Sequence, residues 1–170
     1  MVRLTQPRQE KHMATTTFQG VVRSYGGGGK GVVTPGVMTQ SVQVSCDPTV
    51  SAAASVRIGT SATAGETLTL PAGAIIISVM TMNASTGGTN PTIDIGGTPT
   101  GGANDPDGIF NEVDCDGKGT IKGADGALCI AGGLAANTLV TAMKGSSAAT
   151  GGTWTGIITY AMANDGVEST

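Results

Sequence analysis

The chain has 170 residues, of which 3% are aromatic and 12% are charged, while glycine occurs 28 times. Because an average domain has about 25% charged residues, this composition argues against a freely diffusing cytosolic enzyme. It favours a protein whose surface is covered by neighbours or one that lies outside the cell. No apolar run reaches the roughly 20 residues of a membrane-spanning helix, and a charged start without an apolar stretch argues against a secretory signal. We therefore expect synthesis in the cytosol and no membrane partner.

The net charge of -3 hides a difference between the two ends of the chain. Residues 1–30 carry five basic residues and one acidic residue, which gives +4, whereas residues 31–170 carry four basic and eleven acidic residues, which gives -7. The pattern predicts an extended basic arm over residues 1–17, a β-sandwich domain over residues 18–163 and a flexible tail over residues 164–170. The arm either docks on an acidic surface or stays a solvated terminus. An acidic body argues against nucleic-acid binding.

Short β-branched segments open the predicted domain. Phe18–Arg23 is predicted to form the first strand. The glycine-rich loop 26–31 is superficially similar to a phosphate-binding loop. Gly31 occupies the position after Lys30 where such a loop has Ser or Thr, so we predict a flexible connection between strands instead. Gln40–Cys46 alternates polar and apolar residues, which predicts a strand with one buried face. The residues of that face are Val42, Val44 and Cys46.

The longest apolar segment, Leu70–Asn83, organises the predicted core. Glu66–Leu70 leads into it with an alternating pattern, which predicts a half-exposed strand. Ile75–Val79 is β-branched apart from Ser78 and predicts a strand that is covered on both faces. Thr92–Gly97 follows a turn and is predicted to pair with this segment as a hairpin. The inward residues of that second strand are Ile93 and Ile95.

The second half of the chain continues the β pattern. Gly108–Val113 fits either a strand or a short helix, and a glycine-rich hairpin is predicted to join Val113 to Ile121. Thr138–Met143 predicts a strand, and Thr153–Met162 has the strongest strand propensity of this half. Four residues of the last segment share one parity and therefore one face, namely Trp154, Ile158, Tyr160 and Met162. Eight to ten short strands without a long helix predict an all-β, antiparallel β-sandwich of jelly-roll or Greek-key type.

One acidic loop has part of the spacing of a calcium-binding loop. Counting from Asp114, Asp116 holds the third position and Asp125 the twelfth. Lys118 holds the fifth position, where a carboxylate or an amide belongs, and flanking helices are missing. A glycine-rich turn explains the same residues. We therefore predict no metal and no cofactor, with Asp114, Asp116 and Asp125 as the candidates if the loop holds a cation.

Three cysteines leave at least one thiol without a disulfide. Cys46, Cys115 and Cys129 have neither a C-x-x-C spacing nor a zinc-binding spacing, and the one histidine, His12, lies in the arm. Buried thiols in a reducing compartment are expected. A disulfide between Cys115 and Cys129 across a hairpin remains open.

Two stretches carry a resemblance to a known class of protein. Glu66–Gly97 reads ETLTLPAGAIIISVMTMNASTGGTNPTIDIGG, and Asn104–Phe110 reads NDPDGIF. A Leu-Pro-Ala-Gly strand entry, a Thr-Ile-x-Ile-Gly strand and an Asp-Pro-Asp loop in this order resemble small β-rich virion proteins of tailed bacteriophages. The pattern is most similar to head decoration or cement proteins, and some tail-associated proteins share it. The strong part covers about a fifth of the chain and contains no catalytic motif.

The resemblance implies a structural, non-enzymatic protein on the outer surface of a phage capsid, synthesised in the host cytoplasm. Such a protein binds the major capsid protein, associates with itself as a trimer or dimer, and bridges neighbouring capsomers. An arm that orders on docking suits this role, because its ordering cost is offset by area buried over many copies. The charge asymmetry adds basic residues as candidates for contact with acidic shell or neighbour surfaces, namely Arg3, Arg8, Lys11 and Arg23.

Two other classes of function stay open from the sequence. A tail-associated or host-surface glycan-binding module shares the β-sandwich but needs exposed aromatic platforms, for which Tyr25, Trp154 and Tyr160 are the available residues. A hydrolase would have to take paired carboxylates from the Asp-rich segment 105–125, since the only histidine lies in the arm.

Overall fold

The computed structural model describes residues 36–84, 87–129 and 132–164, which form ten β-strands and no helix. None of these residues therefore belongs to a helix long and apolar enough to cross a membrane. The predicted strand Phe18–Arg23 and the glycine-rich loop 26–31 lie outside the described residues. The strands are β1 Gly36–Cys46, β2 Ala54–Ser55, β3 Arg57–Ile58, β4 Thr69–Leu70, β5 Ile75–Ala84, β6 Thr92–Pro99, β7 Asp105–Asp114, β8 Ile121–Gly123, β9 Thr138–Lys144 and β10 Trp154–Asn164.

The strands form two antiparallel sheets. Sheet A has the order β3-β1-β10-β5-β8, and sheet B has the order β2-β9-β6-β7, with β4 pairing on β9. Every pairing between named strands is antiparallel. This confirms the predicted all-β sandwich, and it settles the choice for Gly108–Val113 in favour of a strand.

The strand pairings are nested, and this nesting identifies the jelly-roll layout. The first long strand, β1, pairs with the last, β10, and β2 pairs with β9. Further inside the chain β5 pairs with β8, and β6 pairs with β7. A hairpin of strands wrapped in this way into two four-stranded sheets is the double Greek key of a jelly roll. The short strands β3 and β4 are additions to it.

The core lies between the inner faces of the two sheets. Sheet A contributes Val44, Val79 and Ile158, all fully buried, as the alternating patterns predict. Sheet B contributes the predicted inward residues Ile93 and Ile95, also fully buried. The largest buried side chains are Trp154 and Phe110, one from each sheet. Val42, Tyr160 and Met162 are partly buried and pack against this core, so the predicted shared faces of β1 and β10 are confirmed.

A buried hydrogen-bond chain links the sheets beside Trp154. The indole N–H of Trp154 donates to Oγ1 of Thr81 on β5 at 3.2 Å, and the Thr81 hydroxyl donates to the carbonyl of Asp114 on β7 at 2.7 Å. Gly156 lies under the same ring, because a Cβ at this position would stand 2.4 Å from Cη2 of Trp154. The indole therefore has both its polar group satisfied and its packing space kept clear.

Two predicted hairpins are wrong. β5 lies in sheet A between β10 and β8, while β6 lies in sheet B between β9 and β7, so the connection after β5 crosses from one sheet to the other. In the same way Val113 lies on β7 of sheet B and Ile121 on β8 of sheet A. Alternation in a sequence shows which side chains are inward but not which strands pair, and in the nested layout these neighbours in sequence are placed on opposite sheets.

The predicted covering of Ile75–Val79 on both faces is also wrong. Ile76 and Val79 are buried, but Ile75 and Ile77 are 40% and 44% exposed. Sheet A has the core on one side only among the described residues, so the outward isoleucines of β5 stay exposed. β5 therefore carries apolar side chains on both of its faces, and only the face toward sheet B is buried in the sandwich.

Candidate interaction surface

The three long strands of sheet A contain no charged residue. Their sequences are GVMTQSVQVSC in β1, IIISVMTMNA in β5 and WTGIITYAMAN in β10. The cations of this sheet lie at its margins, Arg57 on β3 and Lys122 on β8. The middle of the outer surface of sheet A is therefore neutral.

The strand register aligns apolar side chains across this surface. Ile157 of β10 lies opposite Gln43 of β1 on one side and opposite Met80 of β5 on the other. Met80 in turn lies opposite Ile121 of β8, which is 66% exposed. Residues directly opposite each other in an antiparallel pair share a face. We call the row and the exposed isoleucines beside it the sheet A face, made of Gln43, Ile75, Ile77, Met80, Ile121 and Ile157.

A β-bulge helps to place isoleucine on the sheet A face. Thr159 lies opposite Ser78 and Tyr160 lies opposite Ile76, so Ile77 is an extra residue of β5 without a partner on β10. An extra residue of this kind bends the strand and redirects its side chains. The bulge thus allows inward Ile76 to be followed by outward Ile77 and then by Ser78, before Val79 returns to the core.

Hydroxyl side chains border the isoleucines. Ser41 Oγ and Thr159 Oγ1 are 3.1 Å apart and hydrogen-bond across β1 and β10. Binding of a neutral partner to a surface of isoleucine and methionine among serine and threonine is favourable, because apolar area is removed from water and no charge has to be desolvated. Exposed apolar patches with polar borders commonly mark interaction sites.

Sheet B concentrates negative charge on β6 and β7. We call the four carboxylates concerned the acidic strip, made of Asp94, Asp105, Asp107 and Glu112. Asp94 lies between inward Ile93 and Ile95 and so points outward, where its Oδ1 accepts the backbone N–H of Glu112 at 2.8 Å. Partial burial, reinforced by the charges of Glu112 and Asp107, raises the pKa of Asp94.

Glu112 fastens the acidic strip to the loop after β9. It has a φ of 56°, the left-handed region that non-glycine residues rarely adopt. Its carboxylate accepts the backbone N–H of Ser146 at 2.7 Å and the hydroxyl of Thr92. Burial alone would raise the pKa of Glu112, but these hydrogen bonds outweigh it and lower the pKa. The strained backbone is held by the bonds that the ionised side chain makes.

Asp105 and Asp107 form a like-charged pair at the start of β7. Partial burial and the neighbouring carboxylate of Asp107 raise the pKa of Asp105. The same carboxylate also acts on Asp94. No described cation contacts these three groups, so their mutual repulsion is not offset at close range.

The structure places the three metal candidates in two separate local arrangements. Asp114 closes the turn after β7, since its Oδ1 accepts the backbone N–H groups of Asp116 at 2.9 Å and of Gly117 at 3.0 Å. Asp125 follows β8, where its Oδ2 lies 2.7 Å from Nζ of Lys122. Among the described residues no three His, Cys, Asp or Glu side chains are grouped as metal ligands.

The aromatic candidates for glycan binding do not form an exposed platform in the part of the chain that the structure describes. Trp154 is fully buried, and half-buried Tyr160 donates its hydroxyl to Oε1 of Gln40 at 2.6 Å. Tyr25 lies outside the described residues, as do His12 and the four basic candidates Arg3, Arg8, Lys11 and Arg23. The predicted role of the arm therefore remains a prediction.

The three cysteines carry thiols, and no disulfide joins Cys115 to Cys129. Burial, together with nearby acidic groups, raises the pKa of Cys115 to about 12 and that of Cys129 to about 11. Burial also raises the pKa of Cys46. Thiols in this state are poor nucleophiles at neutral pH. They act as small apolar side chains of the core.

Sequence reasoning missed the sheet A face. A signal was present, because three strands of ten or eleven residues without one charge are unusual in a chain that carries 21 charged residues. What the sequence did not show is that these three strands are neighbours, and only that pairing turns three neutral segments into one surface.

Comparison with known proteins gives a distant structural likeness. No protein-family model matches the chain, and no curated protein sequence matches it. A solved structure described as the capsid asymmetric unit of cyanophage Pam1 is similar to it, with 20% sequence identity, 89% of this chain and 99% of that chain covered, and a TM-score of 0.42. A likeness this distant does not assign a function to the chain.

Proposed function

We propose that this chain is a structural protein of a phage virion that binds the outer surface of the capsid and stabilises it by bridging neighbouring capsomers. The observation that carries the proposal is the division of the sandwich into a neutral sheet A face and an acidic strip on sheet B. The residue pattern of Glu66–Gly97 and Asn104–Phe110, which resembles decoration proteins, supports it. Jelly rolls also occur in viral capsid and lectin domains, which is an analogy of fold only.

The two surfaces have different parts in this proposal. The sheet A face docks on the major capsid protein, since apolar area can be buried there without removing a charge from water. The acidic strip stays in solvent, where repulsion between like charges keeps other particles at a distance. The basic arm residues Arg3, Arg8 and Lys11 reach acidic shell or neighbour surfaces, and Arg23 is the fourth candidate. No catalytic role is part of the proposal.

The first experiment is immunogold labelling of purified particles from a lysate of the source organism, followed by electron microscopy. Label distributed over the heads is the expected result. Label at the tails would overturn the capsid assignment in favour of host attachment, and particles without label would overturn the virion role altogether.

A second experiment assigns the docking surface by cosedimentation of purified chain with particles. The double variant Ile77→Lys with Ile121→Lys is expected to bind at least roughly tenfold more weakly, because two lysines would lose water at the centre of the contact. Asp107→Lys in the acidic strip is the matched control and should bind like the parent chain. Weaker binding of the control than of the double variant would place the contact on sheet B.

Deletion of residues 1–17 should also weaken binding to the particles. Unchanged binding of the deletion variant would remove the arm from the proposal.

A further inference from the structure

Among the described residues, one edge of sheet A is unpaired along most of its length. β1 pairs with β10 over the whole of Gly36–Cys46. On its other side β1 pairs with β3 at Val44 and Ser45. Among the described residues, no strand pairs with this side of β1 between Gly36 and Val42. We call these seven residues the β1 edge.

The hydrogen-bonding groups of the β1 edge can be assigned from its register. The N–H of Gly59 donates to the carbonyl of Gln43 at 2.9 Å, so the backbone groups of Gln43 point to the side of β3. Backbone groups of successive residues alternate in direction, and the pairing of β1 with β10 has no register shift. The N–H and C=O groups of Val37, Thr39 and Ser41 therefore point away from the sheet, three donors and three acceptors in a row.

In the part of the chain that the structure describes, the other sheet edges are short or covered, and the β1 edge is an exception. β2 and β3 have two residues each, and β8 has three. The long edge strand β7 is covered by the loop after β8, in which the N–H groups of Asp125 and Gly126 donate to the carbonyl of Ile109, and the N–H of Leu128 donates to that of Gly108. Short, covered and charged edges are the usual means by which proteins avoid unwanted strand pairing.

The β1 edge has none of these protections among the described residues. Its sequence, GVMTQSV, contains no charge and no proline. The side chains of Thr39, Gln40 and Ser41 are exposed. A long, neutral, exposed edge strand is a template for pairing with another extended chain.

We propose that the β1 edge pairs with the β1 edge of a second copy of this chain, antiparallel about a two-fold axis at Thr39. In this register Thr39 lies opposite Thr39 of the second copy, and Val37 of each copy lies opposite Ser41 of the other. The residues whose backbone N–H and C=O groups point away from the sheet therefore face one another. These three residue pairs form two N–H···O bonds each, which gives six bonds. Because the edge carries no charge, no like charges meet across the axis.

The pairing joins two copies of sheet A into one continuous sheet and places two sheet A faces side by side. It gives a surface to the self-association that the resemblance to decoration proteins implies, but it does not depend on the virion role. Failure to bind particles and failure to pair edges are separate results, because the pairing is measured on the purified chain alone.

Amide hydrogen exchange on the full chain, measured by NMR over a range of protein concentrations beside sedimentation velocity, tests the proposal. The N–H groups of Val37, Thr39 and Ser41 should gain protection as the dimer forms. The N–H groups of Gln40 and Val42, which point to β10, should be protected at every concentration and are the internal control. Fast exchange of the outward groups in the dimer would overturn the proposal. So would slow exchange in the monomer, since the edge would then be covered within one chain.

Substitutions at the axis provide a second, independent test. Thr39→Pro removes the N–H donors of the central pair but no bond to β10, so the fold should persist while self-association weakens by roughly tenfold or more. Thr39→Lys and Thr39→Glu should each weaken it, and their mixture should restore it through opposite charges at the axis. Thr69→Lys, the same change at an exposed threonine of β4, is the control. Self-association that survives Thr39→Pro, or a mixture that fails to associate, would overturn the proposal.

Discussion

The two sheets of this sandwich have similar strands, but the surfaces of those strands differ in charge. β1, β5 and β10 of sheet A carry no charge over 32 residues, whereas β6 and β7 of sheet B carry five carboxylates over 18 residues. The inner faces of both sheets contribute apolar side chains to one core, so the difference in charge does not serve the core. The side chains on the outer faces are not needed for core packing, so their type can differ between the sheets. Neutral side chains make the outer face of sheet A suitable for contact with a partner, and charged side chains keep the outer face of sheet B in solvent.

The two surfaces also differ in how their side chains are held. On the sheet A face the isoleucines make no hydrogen bonds and depend on the strands beneath them for position. In the acidic strip, Asp94 and Glu112 accept backbone N–H groups and so help to build the sheet that carries them. Substitutions should therefore affect the stability of the fold more in sheet B than on the outer surface of sheet A.

The largest expected effect separates the two neighbouring isoleucines of β5. Ile76→Thr should lower the free energy of unfolding by about 3 kcal/mol, because it removes buried apolar groups and leaves a hydroxyl in the core. Ile77→Thr should change it by about 0.5 kcal/mol or less, since an exposed β-branched residue replaces another. Urea denaturation of both variants measures the difference. Equal losses would mean that the sheet A face is covered within the chain and is not free for a partner.

An intermediate effect is expected from Glu112→Gln. The free energy of unfolding of the variant should be lower by about 1 to 2 kcal/mol at pH 7. The reason is that the amide keeps only one acceptor oxygen for the hydrogen bonds from Ser146 and Thr92. The ordinary pKa of Glu112 is 4.5 and folding lowers it, so the ionised side chain contributes stability that is present above pH 4.5 and is lost as the pH falls through the folded pKa. Thermal melts of variant and parent should therefore converge in acid. Glu66→Gln, at an exposed glutamate, is the control, and a loss at Glu112 that is independent of pH would contradict the role of its charge.

The smallest expected effect has the opposite sign. The pKa of Asp105 is raised on folding, so its ionised form costs stability above the folded pKa, and this cost is relieved as the pH falls. Asp105→Asn should raise the melting temperature at pH 7, because its free energy of unfolding is higher by about 0.5 kcal/mol or less. The gain should vanish in acid, where both proteins carry a neutral side chain at this position. A lower melting temperature at pH 7 would show that the carboxylate of Asp105 stabilises β7.

Local patterns in the sequence determined the secondary structure and the inward residues of most strands. Alternation placed Val42, Val44 and Cys46 on the core side of β1, and parity placed Trp154 and Ile158 on the core side of β10, because the period of two of a strand is a property of the chain itself. The same reasoning established an all-β chain. It also gave the uneven distribution of charge.

Strand partners were decided by the tertiary structure alone. β5 and β6 follow each other in sequence, yet they lie in different sheets, because the nested jelly-roll order pairs β5 with β8 and β10. Pairing depends on which strands fit across the core, and no local pattern encodes that choice. The neutral sheet A face and the open β1 edge both arise from it: each strand's composition is fixed by sequence, but a shared surface and a free edge exist only once the neighbours are known.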